Sequence, residues 1–240
     1  MTSTPALTGT VVGVCAGRAA ALTHGRRTVE TAFVKTPIVG PVAIGPLGIA
    51  GDEHVYEDHG GPDMALLAYP VEHYDHWRSL GLELPDVGAL GENLTVAGLR
   101  ESDVHLGDVF SIGTSRVQVC QPRTPCYKLA ARFGRKDMPM LVQDTGFTGY
   151  LLRVLQPGSI AAGDTVHLVE RDDHGVTVAV AGRVVNVDRN DLATARRVLA
   201  VDSLGSSVRR KLQQRVDSGE HVGLDVDRLF LDGAAEADRS

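Results

Sequence analysis

Gln121-Pro122-Arg123-Thr124-Pro125-Cys126-Tyr127-Lys128-Leu129 is the stretch whose surroundings decide the fold. Ahead of it, Arg116-Val117-Gln118-Val119-Cys120 alternates apolar and polar residues, the period of a β-strand. Behind it, Lys128 to Phe133 predicts a short helix closed by Gly134. Thr124 is placed to cap that helix and Pro125 to occupy its first position. Cys126 then falls in the first turn, where N–H groups and the helix dipole favour thiolate. Arg123, Lys128, Arg132, Arg135 and Lys136 add positive charge, and two prolines stiffen the corner.

A lone cysteine in an intracellular chain is most often a small buried hydrophobe. The local pattern leaves that role and a functional one open at Cys126. A structural zinc site does not fit, because Cys120 and Cys126 are too widely spaced and no second pair follows.

The 240 residues allow one large domain, or a main domain with an appendage. A hydrophobic share of 43% supports a sizeable core, and a formal net charge of -6 disfavours binding to nucleic-acid polymers. A basic cluster within an acidic chain suggests a small anionic ligand instead. Three cysteines are too few for a disulfide framework or a four-thiolate cluster. Met1 to Leu7 lacks the charged and apolar regions of a signal peptide, and no apolar run is long enough to span a bilayer. A cytoplasmic, membrane-free protein is expected.

Outward from the central stretch, short strands alternate with turn residues. Thr10 to Cys15 and Arg26 to Lys35 read as strands, with Thr36-Pro37 ending the second. Gly40 to Gly51 reads as tight corners. His59-Gly60-Gly61-Pro62-Asp63 is a turn in which backbone can approach a ligand closely. Val71 to Leu80 predicts a surface helix carrying His73 and His76, and a metal site with His54 and His59 matches no familiar spacing. Gly91-Glu92-Asn93-Leu94-Thr95-Val96 is a turn followed by a strand. Asp108 to Ile112 and Ser115 to Cys120 form a hairpin, and Thr148 to Leu155 and Thr165 to Val169 complete the strands. Such a set suggests a β-barrel. No dinucleotide fingerprint or P-loop is present.

Composition changes at Arg171-Asp172-Asp173-His174-Gly175. Val176 to Val187 fits either a strand or a helix. Asn190 to Val201 predicts a helix, and Ser203 can cap another through Arg215 whose stripe is Leu204, Val208, Leu212 and Val216. The expected organisation is a barrel domain over 1–170, a three-helix unit over 174–218 and a partly mobile tail over 219–240.

The motifs His59 to Asp63, Gly91 to Thr95 and Gln121 to Leu129, in that order and spacing, closely resemble the MOSC family, relatives of the C-terminal domain of molybdenum cofactor sulfurase. The resemblance runs from about Thr10 to Glu170. It extends to a branch with a three-helix appendage, which tips Val176 to Val187 towards helix. It implies a mainly β, MOSC-type barrel binding the molybdenum cofactor (molybdopterin), with Cys126 as ligand to molybdenum. It also implies catalytic roles for Cys126 and His59, and cofactor contacts from Lys35, His59, Asn93, Gln121, Arg123, Thr124 and Lys128. The expected activity is reduction of N-hydroxylated compounds, independent of pyridoxal phosphate. Two departures stand out. Met64 occupies a position that is basic in much of the family, and Cys120 stands where serine is common, so a second thiol near the site is expected.

The physical chemistry of the residues agrees. A thiolate suits a soft-leaning metal, and the Arg123 to Lys136 region offers cations and N–H groups for a phosphate. Breaking an N–O bond needs two electrons, which this chain has no means of its own to deliver. A separate electron-transfer protein is therefore implied, the cofactor performing the chemistry that the protein positions. Two further roles fit the same cysteine: a sulfur-transfer enzyme or carrier with a persulfide on Cys126, and a non-catalytic cofactor carrier. A homodimer through the barrel or the helices is compatible with either.

Overall fold

The computed structural model describes residues 7–24, 27–53, 55, 60–219 and 223–230. The strands are β1 (Thr8–Ala16), β2 (Ala20–His24), β3 (Arg27–Thr31), β4 (Thr36–Pro37), β5 (Val42–Gly45), β6 (Gly48–Ile49), β7 (Leu66–Pro70), β8 (Leu94–Ala97), β9 (Val109–Ile112), β10 (Ser115–Pro122), β11 (Tyr150–Gln156), β12 (Gly158–Ile160) and β13 (Thr165–Glu170). The α-helices are α1 (Tyr74–Ser79), α2 (Lys128–Phe133), α3 (Met138–Thr145), α4 (Val178–Asn186), α5 (Leu192–Leu199), α6 (Ser206–Ser218) and α7 (Val226–Leu229).

Among the described residues, seven strands close a barrel in the order β13, β9, β10, β11, β7, β8, β1 and back to β13. All neighbours are antiparallel except β7 and β8, which run parallel with Ala68 opposite Leu94. The seal is antiparallel pairing of β1 with β13, Thr8 opposite His167. β4 flanks β1, β5, β6 and β12 form a small sheet, and β2 and β3 form a separate hairpin that packs on α2. The alternation that marked the strands places Val11, Val14, Leu94, Val96, Val117, Val119 and Leu152 in the core. A register shift between Val119 and Gln121 interrupts the β10–β11 pairing just ahead of Arg123. Such a bulge re-aims the chain at a barrel rim.

Valine-rich α4 is a helix, so tertiary packing overrides β-propensity there. Val178, Ala181, Val184, Ala195, Val198, Val208 and Leu212 belong to the same apolar cluster as the barrel interior. Thr177 caps α4 by accepting from Val180 N, and Asp191 caps α5 by accepting from Thr194 N. The other ends are closed by arginines of α6. Arg215 donates to the carbonyls of Val184 and Val185, and Arg209 to those of Leu199 and Val201.

Several sequence expectations are corrected. The second strand is a hairpin arm, Arg27–Thr31, and Lys35 lies beyond it. Thr36-Pro37 pairs with β1 instead of ending a strand. Ser203 does not cap α6; Gly205 stands at its start, and Asp63 accepts from Ser206 N at 2.8 Å. Val71 to Leu80 is a 3-10 turn followed by α1, with His73, Tyr74 and Trp77 buried, so it is no surface helix. The aromatic residues there build a second apolar cluster with Phe33, Leu129, Met138 and Val142. Helices α3 and α7 have no counterpart in the expectations. No helix among the described residues is long and apolar enough to cross a membrane.

Candidate functional site

β10 delivers the chain to Arg123, whose backbone is clamped on both sides. Its N–H donates to Gly149 O at 3.1 Å, and Asn186 Nδ2 at the end of α4 donates to its carbonyl at 3.1 Å. The side chain is 8% exposed, its guanidinium 5.5 Å from the centre of the Phe33 ring. Arg123 Nη1 is buried with no hydrogen-bond partner. Burial pushes its pKa down, while the neighbouring Cys126 and Glu92 act the other way.

The helix starts at Lys128, three residues beyond the first position that the sequence assigned to Pro125. Thr124 is therefore not its cap, Pro125 is not its first residue, and Cys126 lies ahead of the first turn. The Cys126 carbonyl accepts from Leu129 N at 3.1 Å. Fixed Leu129, fully buried in the aromatic cluster, anchors α2 and with it the loop. Lys128 is 6% exposed; burial lowers its pKa, opposed by Cys126 and reinforced by Arg123.

Cys126 is the one partly exposed cysteine of the three. Burial pushes the Cys15 thiol up to about 11 and the Cys120 thiol up to about 12, as expected of core sulfurs. Cys120 is fully buried and interacts with Arg153 and Asp63, whereas Cys126 interacts with Arg123, Lys128 and Arg228. The expected second thiol thus belongs to a different neighbourhood.

Other anticipated residues separate into supports and contacts. Lys35 is paired with Asp52 at 2.5 Å, and its side chain is 7% exposed. Asp52 also accepts from Gly17 N at 2.7 Å and from Asn93 Nδ2 at 2.8 Å. The Asn93 amide further donates to Cys15 O and accepts from Leu67 N, so it ties β1 to β7 and holds Asp52. Gly91, at φ +84, leaves room for the Phe33 ring that would crowd a Cβ. Glu92, fully buried, accepts from the hydroxyls of Tyr74 and Thr95 and from Leu90 N. The Gly91-Glu92-Asn93 motif is scaffold for Phe33, Asp52 and Lys35. Gln121 packs against Gly205 and accepts from Ser207 Oγ at 3.4 Å, at the start of α6. Thr124 is half-buried beside Arg123. Arg135 pairs with exposed Asp137 and does not join the cations around Cys126. His59 and His54 lie outside the described residues. Met64 ends the 3-10 turn of Pro62–Met64, whose Asp63 is held by Arg153 at 2.5 Å.

Two contributors had no signal in the sequence. Asn186 sits on a valine-rich helix, and Arg228 lies in a segment with no apolar period. Arg228 donates to the carbonyl of Pro125 and, at 2.9 Å, to Gln143 Oε1, while Tyr127 N donates to its carbonyl at 2.9 Å. Burial lowers its pKa; Asp225, Arg189 and Cys126 adjust it further.

The MOSC domain matches residues 55–167. Protein YiiM of Escherichia coli is 38% identical over 216 residues, covering 87% of this chain and 93% of its own. The chain belongs to the MOSC domain family. The crystal structure of YiiM from Geobacillus stearothermophilus superposes with a TM-score of 0.74 at 35% identity, covering 87% of this chain and 99% of that one. A protein of Gibberella moniliformis named Reductase is 35% identical over 72% of this chain, which spans only 32% of that longer protein. The MOSC match begins after β1 and the hairpin and ends before α4, so Arg228 and Asn186 lie outside it.

Proposed function

We propose that this MOSC protein is a molybdenum-cofactor-dependent oxidoreductase that reduces N-hydroxylated compounds, drawing electrons from a separate protein. The observation that carries it is the orphaned Nη1 of buried Arg123 beside a half-buried thiol and buried Lys128. Burying a cation without a partner is expensive, and an anionic group of a ligand offsets that expense. The residues therefore fit the phosphorylated cofactor typical of MOSC domains. No group of three or more potential metal-ligating side chains occurs among the described residues. A single thiolate suits a metal already carried by its own organic cofactor.

In this arrangement Arg123 and Lys128 bind the phosphate, the Phe33 ring backs Arg123, and Cys126 supplies the protein ligand. Asn186, Gly149 and Arg228 hold the loop so that the sulfur keeps one position. When bound, the cofactor supplies two-electron chemistry. An N–O bond breaks as two electrons and two protons enter, leaving the amine or amidine and water. The name of the longer fungal relative supports a redox role.

The test is molybdenum and pterin content of protein made in a cofactor-competent host, for wild type, Arg123→Gln and Cys126→Ala, with reduction of an N-hydroxylated substrate by a supplied donor. Wild type is expected to carry metal and pterin and to reduce the substrate; Arg123→Gln is expected to lose pterin, and Cys126→Ala to lose reduction. Wild type without molybdenum and without reduction eliminates the proposal, and a persulfide on Cys126 found by mass analysis would then favour sulfur transfer.

A further inference from the structure

The small sheet of β5, β6 and β12 stands apart from the closed ring of the barrel. Both segments that build it are free of charge. From Thr36 to Gly51, and again from Val154 to Gly163, there is no Asp, Glu, Lys, Arg or His. The two charges that bracket the first segment, Lys35 and Asp52, are paired with each other, their side chains 7% and 1% exposed. They close the loop at its base without presenting charge at the surface. The inner face of the sheet is core, with Ile44, Ile49 and Ile160 in the apolar cluster of the barrel. Alternation then turns Ala43 outward, exposed and opposite Ser159.

The strand register makes this face continuous. Gly158 is opposite Ile44, so Leu155 and Pro157 lead in beside the Pro46-Leu47 turn; Ile160 is opposite Val42, so Ala162 leads out beside Pro41 and Val39. Val39 is 99% exposed, Leu47 65% and Leu155 48%. A flat centre of small side chains thus has large apolar residues at either end. Single exposed apolar residues are ordinary, whereas a contiguous uncharged face marks a contact surface. Exposed sheets are usually guarded against association by charged side chains, and this face has none. Pro41 and Pro46 flank β5, and proline has no N–H to add to a ladder. Contact is therefore made by side chains, not by extension of the sheet.

The charge pattern selects the occupant. A protein that docks briefly to deliver electrons is steered by complementary charge, and this face has no charge to steer with. The chain carries a formal net charge of -6, so two copies repel over much of their surfaces. An uncharged face is where they meet without opposing like charges. Depletion of charge around an apolar centre is also the character of homodimer interfaces. A two-fold axis sets such a face against itself, and a face without charge complements itself. We propose that the outer face of β5, β6 and β12 docks a second copy of this chain, forming a homodimer with a charge-free centre. The proposal does not depend on the function assigned to Cys126.

Sedimentation equilibrium of the full chain over a range of concentrations tests it. Wild type is expected to dimerise, with a dissociation constant that does not rise across an about tenfold increase in salt, since no ion pair is there to be screened. Ala43→Lys and Leu47→Glu each put a charge into the contact and should weaken dimerisation about tenfold or more. Leu80→Lys, at an exposed leucine at the end of α1, should leave it unchanged. Far-ultraviolet circular dichroism checks that each variant is folded. The proposal is overturned if wild type stays monomeric, which leaves the face to another partner, or if salt dissociates the dimer, as contact through charged helices would. It is equally overturned if both face variants fold and dimerise as wild type, or if Leu80→Lys dissociates the dimer as they do.

Discussion

Arg228 donates a hydrogen bond to the carbonyl oxygen of Pro125, the residue directly before Cys126, from 103 positions along the chain. The same guanidinium reaches Gln143, and Tyr127 N returns a bond to the Arg228 carbonyl. The Cys126 corner is thus held by a segment from beyond the three helices. Arg228→Ala would leave Pro125 O and Gln143 Oε1 without this donor, a local loss of roughly 1–3 kcal/mol. Hydrogen exchange at the Tyr127 amide should accelerate accordingly, while amides of β10 and β11 keep their protection. Unchanged exchange at Tyr127 would show that the corner holds itself.

Arg123 invites a substitution with opposite effects on stability and binding. Its buried guanidinium has an unpartnered Nη1 and repels Lys128. Replacing it by an apolar side chain of similar reach, Arg123→Met, should raise unfolding stability by roughly 1–3 kcal/mol in the ligand-free protein, since uncompensated buried charge is removed. Loss of the contact with Phe33 offsets only a part of this. The same variant should lose retained pterin. Urea unfolding and pterin fluorescence measure the two effects, and a destabilised Arg123→Met would refute the first.

Asp63 should shape the acid limb of stability. Its partial burial alone would raise the carboxyl, but the Ser206 N–H and Arg153 outweigh this and the net shift is downward. The folded protein then holds the proton more weakly than the unfolded chain, whose aspartates titrate near about 3.9. The contribution is complete above that pH and is lost as pH falls through the lowered native value. Asp63→Asn should lower stability at neutral pH and flatten the decline below about pH 4. Chemical unfolding across that range, wild type against variant, would show parallel curves if Asp63 has no such role.

Gly149 has φ +73, and a Cβ there would stand 2.5 Å from the Ala68 carbonyl oxygen. Its N–H and C=O join Glu101 to Arg123. Gly149→Ala should cost about 1–3 kcal/mol of stability from the backbone conformation alone, with the clash added. The midpoint of urea unfolding reads this directly, and a midpoint unmoved from wild type would count against it.

The legible parts of this molecule are those written in short-range periodicity. Strands β9 to β11 and the paired turn at Gly113 follow from alternation and a glycine. The helices over 178–218 are less direct, because α4 is composed of strand-favouring valines and becomes helical through its packing on β10. The local pattern around Cys126 misplaces the start of α2, because Thr124 and Pro125 satisfy capping rules while the helix begins at Lys128 with Tyr127 at its N-cap. Asp52, Asn186 and Arg228 were hidden for another reason. Each acts through a partner between 17 and 103 residues distant, and no local pattern encodes such a partner.

The pairing of Thr8 with His167 carries a consequence for synthesis. A nascent chain cannot seal its barrel until the last of the seven strands has left the ribosome, so β1 and β9, the two neighbours of β13, wait with bare edges until then. A fragment trimmed to residues 55–167 would discard β1 and leave β8 with a permanently bare edge. Such a piece should self-associate through the open strand, and excision of the MOSC core by itself would yield aggregates instead of a working barrel.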